Sequence, residues 1–173
     1  MAVMDVDTGN LLNYRQLMRD PTYKTNWSIS STNEFRRLAN GVDGRIKNPT
    51  NSIKFICKVD IPKDHRKDVT YGQFVCSVIP EKKEKNRTRF TVGGDRIIYP
   101  GEVAIPTADM LVAKLLFNSV VSTKRARCMT MDISNFYLMT PLNRPEFIRM
   151  KMTDIPDESI DEYKLRGKTT KDG

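Results

Sequence analysis

Apolar positions along this chain recur at two spacings and switch between them several times. Ile53, Phe55, Cys57 and Val59 alternate with Lys54, Ile56 and Lys58, which predicts a strand with one mostly apolar face. Residues 74–79 and 87–92 read as two more strands around Pro80-Glu81-Lys82-Lys83-Glu84-Lys85-Asn86, a connection too charged to pack, so a basic hairpin is expected there. Helical spacing predicts a helix over 27–39, with Phe35 and Leu38 on one side, Ser31 and Glu34 as a capping box and Gly41 as its stop. Thr107 is placed to cap a second helix reaching about residue 121, whose Ala108, Leu111, Val112, Leu115 and Leu116 make a wide apolar face. Between these, residues 60–71 read as a charged loop, Gly93-Gly94 as a break and 96–99 as a brief resumption of the strand. Strand signals return at 129–133 and 147–152, a short helix is expected over 157–165, and the polar stretch 166–173 is expected to be disordered. Helices and strands interleave without regular βαβ spacing, so the expected class is α+β, with a mostly antiparallel sheet and flanking helices.

At 173 residues the chain can bury one sizeable core. Its 29 Lys and Arg against 21 Asp and Glu leave a net charge of +8, which favours a polyanionic partner, nucleic acid ahead of an anionic membrane. No apolar run approaches the roughly 20 residues a bilayer span needs, and Asp5 and Asp7 stand where a signal peptide would be basic and then apolar. The chain is therefore read as intracellular. Cys57, Cys76 and Cys128 are odd in number, far apart and set in apolar or strand-like surroundings, as reduced core thiols are; none has the short spacing of a zinc site. His65 lies in a charged loop with no Ser or Cys set up as a nucleophile, so hydrolase chemistry has no support.

Two segments carry candidate chemistry. Lys82, Lys83, Lys85, Arg87, Arg89 and Arg96 gather positive charge on the hairpin and the strand leaving it. A solvated edge strand blunted with Lys has this composition, with Glu81 and Glu84 diluting the field. Arg87 and Arg89, however, share one strand face, so two guanidinium forks can reach one triphosphate or template backbone together. In the second segment Met129, Met131 and Ile133 point one way while Cys128, Thr130 and Asp132 point the other. Asp132 is then a carboxylate held off the core at the end of an apolar strand, where a hard cation beside a phosphate needs one. The same residue also fits an ordinary surface Asp, or an N-cap for the turn over 134–138.

Arg87-Thr88-Arg89-Phe90-Thr91-Val92-Gly93-Gly94-Asp95, Tyr99-Pro100-Gly101-Glu102, the helical pattern over 107–121, the Asp132 block with Pro141-Leu142, and Glu146-Phe147-Ile148-Arg149-Met150 occur in an order and spacing that resembles the reverse transcriptase of copia-type LTR retrotransposons. The resemblance spans roughly residues 11–165, with the helix over 27–38 as the one preceding the fingers. It implies the fingers and partial palm of a right-hand polymerase, divided into an N-terminal segment (1–20), a fingers-like region with the basic hairpin (21–106), the first part of the palm with the catalytic Asp strand (107–165) and a disordered tail (166–173). The implied chemistry is attack of a primer 3′-hydroxyl on a deoxynucleoside triphosphate with two Mg²⁺ or Mn²⁺ ions. Asp132 would ligate both ions and be the catalytic residue, with the Ile133 carbonyl assisting at one. Arg87 and Arg89, the backbone amides of Asn135 and Phe136, and Tyr137 as the gate beneath the sugar would hold the nucleotide, while Lys82, Lys83, Lys85 and Arg96 would hold nucleic acid.

Two features depart from the family. Phe136 stands where a small residue is usual, and the Tyr-x-Asp-Asp hairpin that supplies the partner carboxylates is absent from these 173 residues. One carboxylate cannot hold two cations that repel at roughly 4 Å, so the fragment is expected to be inactive alone. The implied partners are an RNA template, a DNA primer, the dNTP and the rest of the retroelement polyprotein, with no membrane. The implied location is the cytoplasm, in a virus-like particle, with nuclear entry as a further step. The alternative is a non-catalytic basic nucleic-acid-binding module left from a decayed element, and a weaker option is a protein-interaction domain whose charge serves solubility.

Overall fold

The computed structural model describes residues 2–41, 46, 48–97, 101 and 109–169, with the side chains of Arg96 and Met139 left aside. The expected strand resumption at 96–99, most of Tyr99-Pro100-Gly101-Glu102 and the Thr107 cap therefore lie wholly or largely outside the described residues. The chain divides into two units, Met1–Ile97 with Leu138–Gly173, and Ile98–Tyr137.

The larger unit begins with a short antiparallel pair, β1 (Val3–Met4) and β2 (Leu11–Leu12). Two helices follow, joined at Asp20. Asn13 caps α1 (Tyr14–Arg19) by a reciprocal pair of bonds with Gln16, and Asp20 accepts the Thr22 N–H at 2.8 Å to start α2 (Pro21–Leu38), with Pro21 at the first helical position. The helix thus begins six residues before the predicted 27. Ser31 and Glu34, expected as a capping box, sit mid-helix: Ser31 donates back to the Trp27 carbonyl at 2.7 Å, and Glu34 accepts the Phe90 N–H.

The main sheet has the order β4-β3-β5. β3 (Thr70–Val78) and β4 (Asn86–Val92) are antiparallel, with Phe74 opposite Phe90 and Cys76 opposite Thr88, so the predicted hairpin is present. β5 (Ile148–Arg149) is short and lies parallel to β3, with Thr70 opposite Ile148. Tyr14, Leu17, Trp27, Phe35, Phe74 and Cys76 form the core between the helices and the inner sheet face, with Phe35 and Phe74 ring centroids 4.8 Å apart. Gly72 is required beside them: a Cβ there would collide with the Phe90 ring and touch Ile148.

The strand predicted around residue 55 does not form. Residues 53–57 run alongside the core without a ladder, Ile53 and Phe55 half-buried, and the Phe55 ring lies 4.6 Å from Tyr163 and 5.6 Å from Phe35. Alternation records one-sided burial, which an extended segment satisfies without strand partners. The outer edge of β4 is itself occupied, because Ser30 and Glu34 of α2 accept the Thr88 and Phe90 N–H groups. Near the C-terminus α4 (Asp157–Glu162) ends three residues short of the predicted 165, and Leu165–Lys168 forms a 3-10 turn that runs into the stretch expected to be disordered; Lys168 donates to the Phe55 carbonyl at 2.5 Å. Two arginine clasps join this segment to the first helices: Arg15 to Asp154 at 2.7 and 2.6 Å, and buried Arg36 to Glu158 and Glu162.

In the smaller unit, Asp109 accepts the Leu111 N–H and starts α3 (Met110–Ser122), the predicted second helix. The strand expected at 129–133 is absent: the backbone there has no ladder partner, and both sets of alternating side chains are exposed. The larger unit is thus a small mixed α+β arrangement of two modest sheets with flanking helices.

Candidate nucleic-acid interface

The expected site residues fall into both units. Asp132, Ile133, Asn135, Phe136 and Tyr137 belong to Ile98–Tyr137, and Arg87, Arg89, Lys82, Lys83 and Lys85 to the other. In the smaller unit Asp132 is exposed on irregular backbone, so the strand that was to fix its direction is missing. The Ile133 carbonyl, expected at a metal, accepts the Phe136 N–H at 3.3 Å, which also occupies one of the two amides expected to bind phosphate. Asn135 completes the turn at φ +59°, a left-handed conformation Asn tolerates better than most residues. The Phe136 and Tyr137 rings meet edge to face at 5.4 Å, and Tyr137 is exposed. Among the described residues, no three His, Cys, Asp or Glu side chains gather closely enough to hold a metal ion.

The larger unit brings together a different set. Residues opposite one another in a ladder share a face. Because Phe74, Cys76, Thr88 and Phe90 face the core, their neighbours Tyr71, Gln73, Val75, Ser77, Arg87, Arg89 and Thr91 occupy the outer face. Arg149 stands opposite Tyr71 on β5 and joins them. β3, β4 and β5 thus hold three arginines and no carboxylate. Arg89 and Arg149 are exposed, Arg87 is half-buried, and none of the three has an ion-pair partner among the described residues. From strand geometry Arg87 and Arg89 are about 7 Å apart, and Arg149 lies on the order of 16 Å from Arg89 across β3. Tyr71 sits within that strip at 41% exposure, its ring over Gly93, where any Cβ would strike it.

The hairpin loop continues the basic surface. Glu84, expected to dilute its field, is drawn away to α2, where Arg37 and the Asn33 amide both donate to it. Ser30 ties down the same end by donating to the Asn86 carbonyl at 2.8 Å and accepting the Thr88 N–H at 2.9 Å. Lys82, Lys83 and Lys85 are left exposed and without ion-pair partners among the described residues. Arg96 ends a 3-10 turn after β4, and its side chain lies outside the described residues. Trp27 and Tyr14 are buried and cannot meet a base, while the Tyr23 hydroxyl donates to Asp5 at 2.7 Å.

Cys76 is buried, and burial raises its thiol from 9 to about 11, far from nucleophilic at neutral pH. His65 packs its ring 5.7 Å from Phe147.

Sequence reading had placed Arg87 and Arg89 on one face but missed Arg149 and Tyr71 as their companions. Arg149 lies within the strand signal over 147–152, yet only the β3–β5 pairing carries it to this face. The chain matches no protein-family model, no curated protein and no solved structure.

Proposed function

We propose that this protein binds nucleic acid through the outer face of its three-stranded sheet. The observation that carries this reading is the group Arg87, Arg89 and Arg149 on one sheet face, without ion-pair partners among the described residues and without a carboxylate in any of the three strands. A face built only for solubility mixes both signs of charge, whereas a phosphate backbone is matched by guanidinium forks of one sign. Tyr71 adds a π-face on which a base can stack, which suits a single strand better than a duplex with paired bases. Lys82, Lys83 and Lys85 extend the field and steer the polyanion to the face.

The polymerase reading rests on the sequence resemblance, and among the described residues no group of three His, Cys, Asp or Glu side chains is placed to hold a metal ion. Phosphoryl transfer by two ions needs such ligands, so binding and not catalysis is the function put forward for the chain. No helix among the described residues is long and apolar enough to cross a membrane.

The test is a single-stranded oligonucleotide titration by fluorescence anisotropy at several salt concentrations. Replacing Arg87, Arg89 and Arg149 together with Ala should reduce the log–log salt slope by about 2, since each phosphate contact to a single strand contributes roughly 0.7. An unchanged slope would overturn the assignment of the sheet face, and absence of any salt-dependent binding by the intact chain would favour a protein partner.

A further inference from the structure

Where the hairpin loop folds back on α2, a cavity of about 280 Å³ opens between them, lined by Asn26, Ile29, Ser30, Lys83, Glu84, Lys85 and Asn86. Its walls are held by tertiary bonds. Glu84 is fixed by Arg37 and Asn33, and Ser30 bridges Asn86 and Thr88, so the loop is tied to the helix at two points on either side of Lys85. Arg37 is shared between Glu84 and Glu34 and so offsets the Glu84 charge in part, while Lys83 and Lys85 have no ion-pair partner among the described residues and leave the lining net positive.

We infer that this cavity is a site for one nucleotide unit, its phosphate held by Lys83 and Lys85, its base on Ile29 and its base edge read by Asn26 and Asn86. The inference rests on the nucleic-acid reading above. Lys supplies a mobile point charge to a phosphate. Ile29 is 42% exposed and is the apolar surface of the lining, against which a base or sugar can lie. The side-chain amides of Asn26 and Asn86 make no hydrogen bond among the described residues, so each offers a donor and an acceptor, the combination that reads the edge of a base. The volume stands at the small end of ligand sites, which begin at about 300 Å³, and is of a size to take part of one nucleotide, the rest lying on the open side. Asn86 directly precedes Arg87, so a strand on the sheet face can turn one nucleotide over the edge of β4 into the cavity.

Titration of the full chain with adenosine monophosphate, followed by NMR, tests this. The Asn26 and Asn86 side-chain amides and the Ile29 methyl signals should move together, with a Kd on the order of 1 mM, and inorganic phosphate at the same concentration should move them far less. Asn26→Ala with Ile29→Ala changes two exposed helix positions to the best helix former, so folding is kept while adenosine monophosphate binding should weaken at least about fivefold. The salt slope for an oligonucleotide should stay as it was. The Arg87, Arg89 and Arg149 triple variant should behave the opposite way, losing salt slope and keeping the cavity response. Equal shifts with inorganic phosphate would overturn the inference in favour of a simple anion site, and so would a response centred on Tyr71 or unchanged binding by the double variant. Each of these leaves the sheet-face reading intact, whereas a triple variant with normal oligonucleotide binding overturns that reading and not the cavity.

Discussion

The two longest helices of the chain have compositions that point the opposite way from their burial. α2 is rich in Ser, Thr, Asn and Arg, yet it buries Trp27, Ser30, Ser31, Thr32, Phe35, Arg36 and Leu38. α3 reads Met-Leu-Val-Ala-Lys-Leu-Leu-Phe-Asn-Ser-Val-Val-Ser and buries nothing, with Leu111, Leu115, Leu116 and Phe117 all more than half exposed. The difference lies in what each helix has beside it. α2 meets β4 and α4, and its buried polar groups are spent there: Ser30 on Asn86 and Thr88, Thr32 with Ser159, Arg36 on Glu158 and Glu162. Burying a polar group costs little once its bonds are replaced. Among the described residues of Ile98–Tyr137, α3 is the one α-helix and no strand accompanies it, so none of those residues covers its apolar face. Apolarity makes burial favourable; a complementary surface makes it happen.

The largest way to sharpen this contrast is Phe35→Ala. Phe35 is 2% exposed and touches the Phe55, Phe74 and Phe90 rings, so the change should cost ~3–5 kcal/mol in urea unfolding. A loss under about 1 kcal/mol would mean the core is looser than its ring contacts imply. Next comes Gly72→Ala, where a methyl group enters space held by Phe90 and should cost about 1–3 kcal/mol through overpacking. Ser30→Ala removes a bridge to both the Asn86 carbonyl and the Thr88 N–H, and should cost about 1–3 kcal/mol by leaving those two groups without their helix partner.

Alkaline pH probes the same core without mutation. Burial raises the Cys76 thiol from 9 to about 11 and the Tyr163 hydroxyl from 10 to about 12, and it raises Tyr14 as well. A pKa higher in the folded than in the unfolded chain means the folded state binds the proton more tightly. Stability from these groups is therefore complete below about pH 9 and falls as pH rises through 11 and 12, which thermal unfolding across that range will show. At pH 8 exposed Cys128 should be alkylated well before Cys76, as peptide mass spectrometry would record. The smallest effect is expected at α3: Leu115→Ser should change unfolding stability by less than about 0.5 kcal/mol, and a loss comparable to Phe35→Ala would break the comparison.

The local signals that were legible are those whose cause is local. The hairpin at β3 and β4 was visible because two alternating runs flank a charged connection, and α3 because its apolar positions recur at helical spacing. The Asn13-x-x-Gln16 box and the Asp20-Pro21 start were also written in the chain and went unread, which moved the beginning of α2 to Trp27. Two alternating segments, residues 53–57 and 129–133, were misread as strands for one physical reason: alternation describes where side chains point, and a strand also needs a free edge to bond. Neither has a ladder partner among the described residues: the first lies against the Phe35 and Tyr163 rings, and the second is exposed on both sides.

By itself the sequence determined the positive charge, the basic hairpin, the shared face of Arg87 and Arg89 and the caps that start the helices, because each depends on residues near one another in the chain. Tertiary structure alone decided that Arg149 and Tyr71 join those arginines, that Glu84 turns to Arg37 while Lys83 and Lys85 have no ion-pair partner among the described residues, and that Asp132 stands on irregular backbone. Register between distant strands and the choice of ion-pair partner depend on which surfaces the fold brings within a few ångströms, and no spacing along the chain encodes that distance.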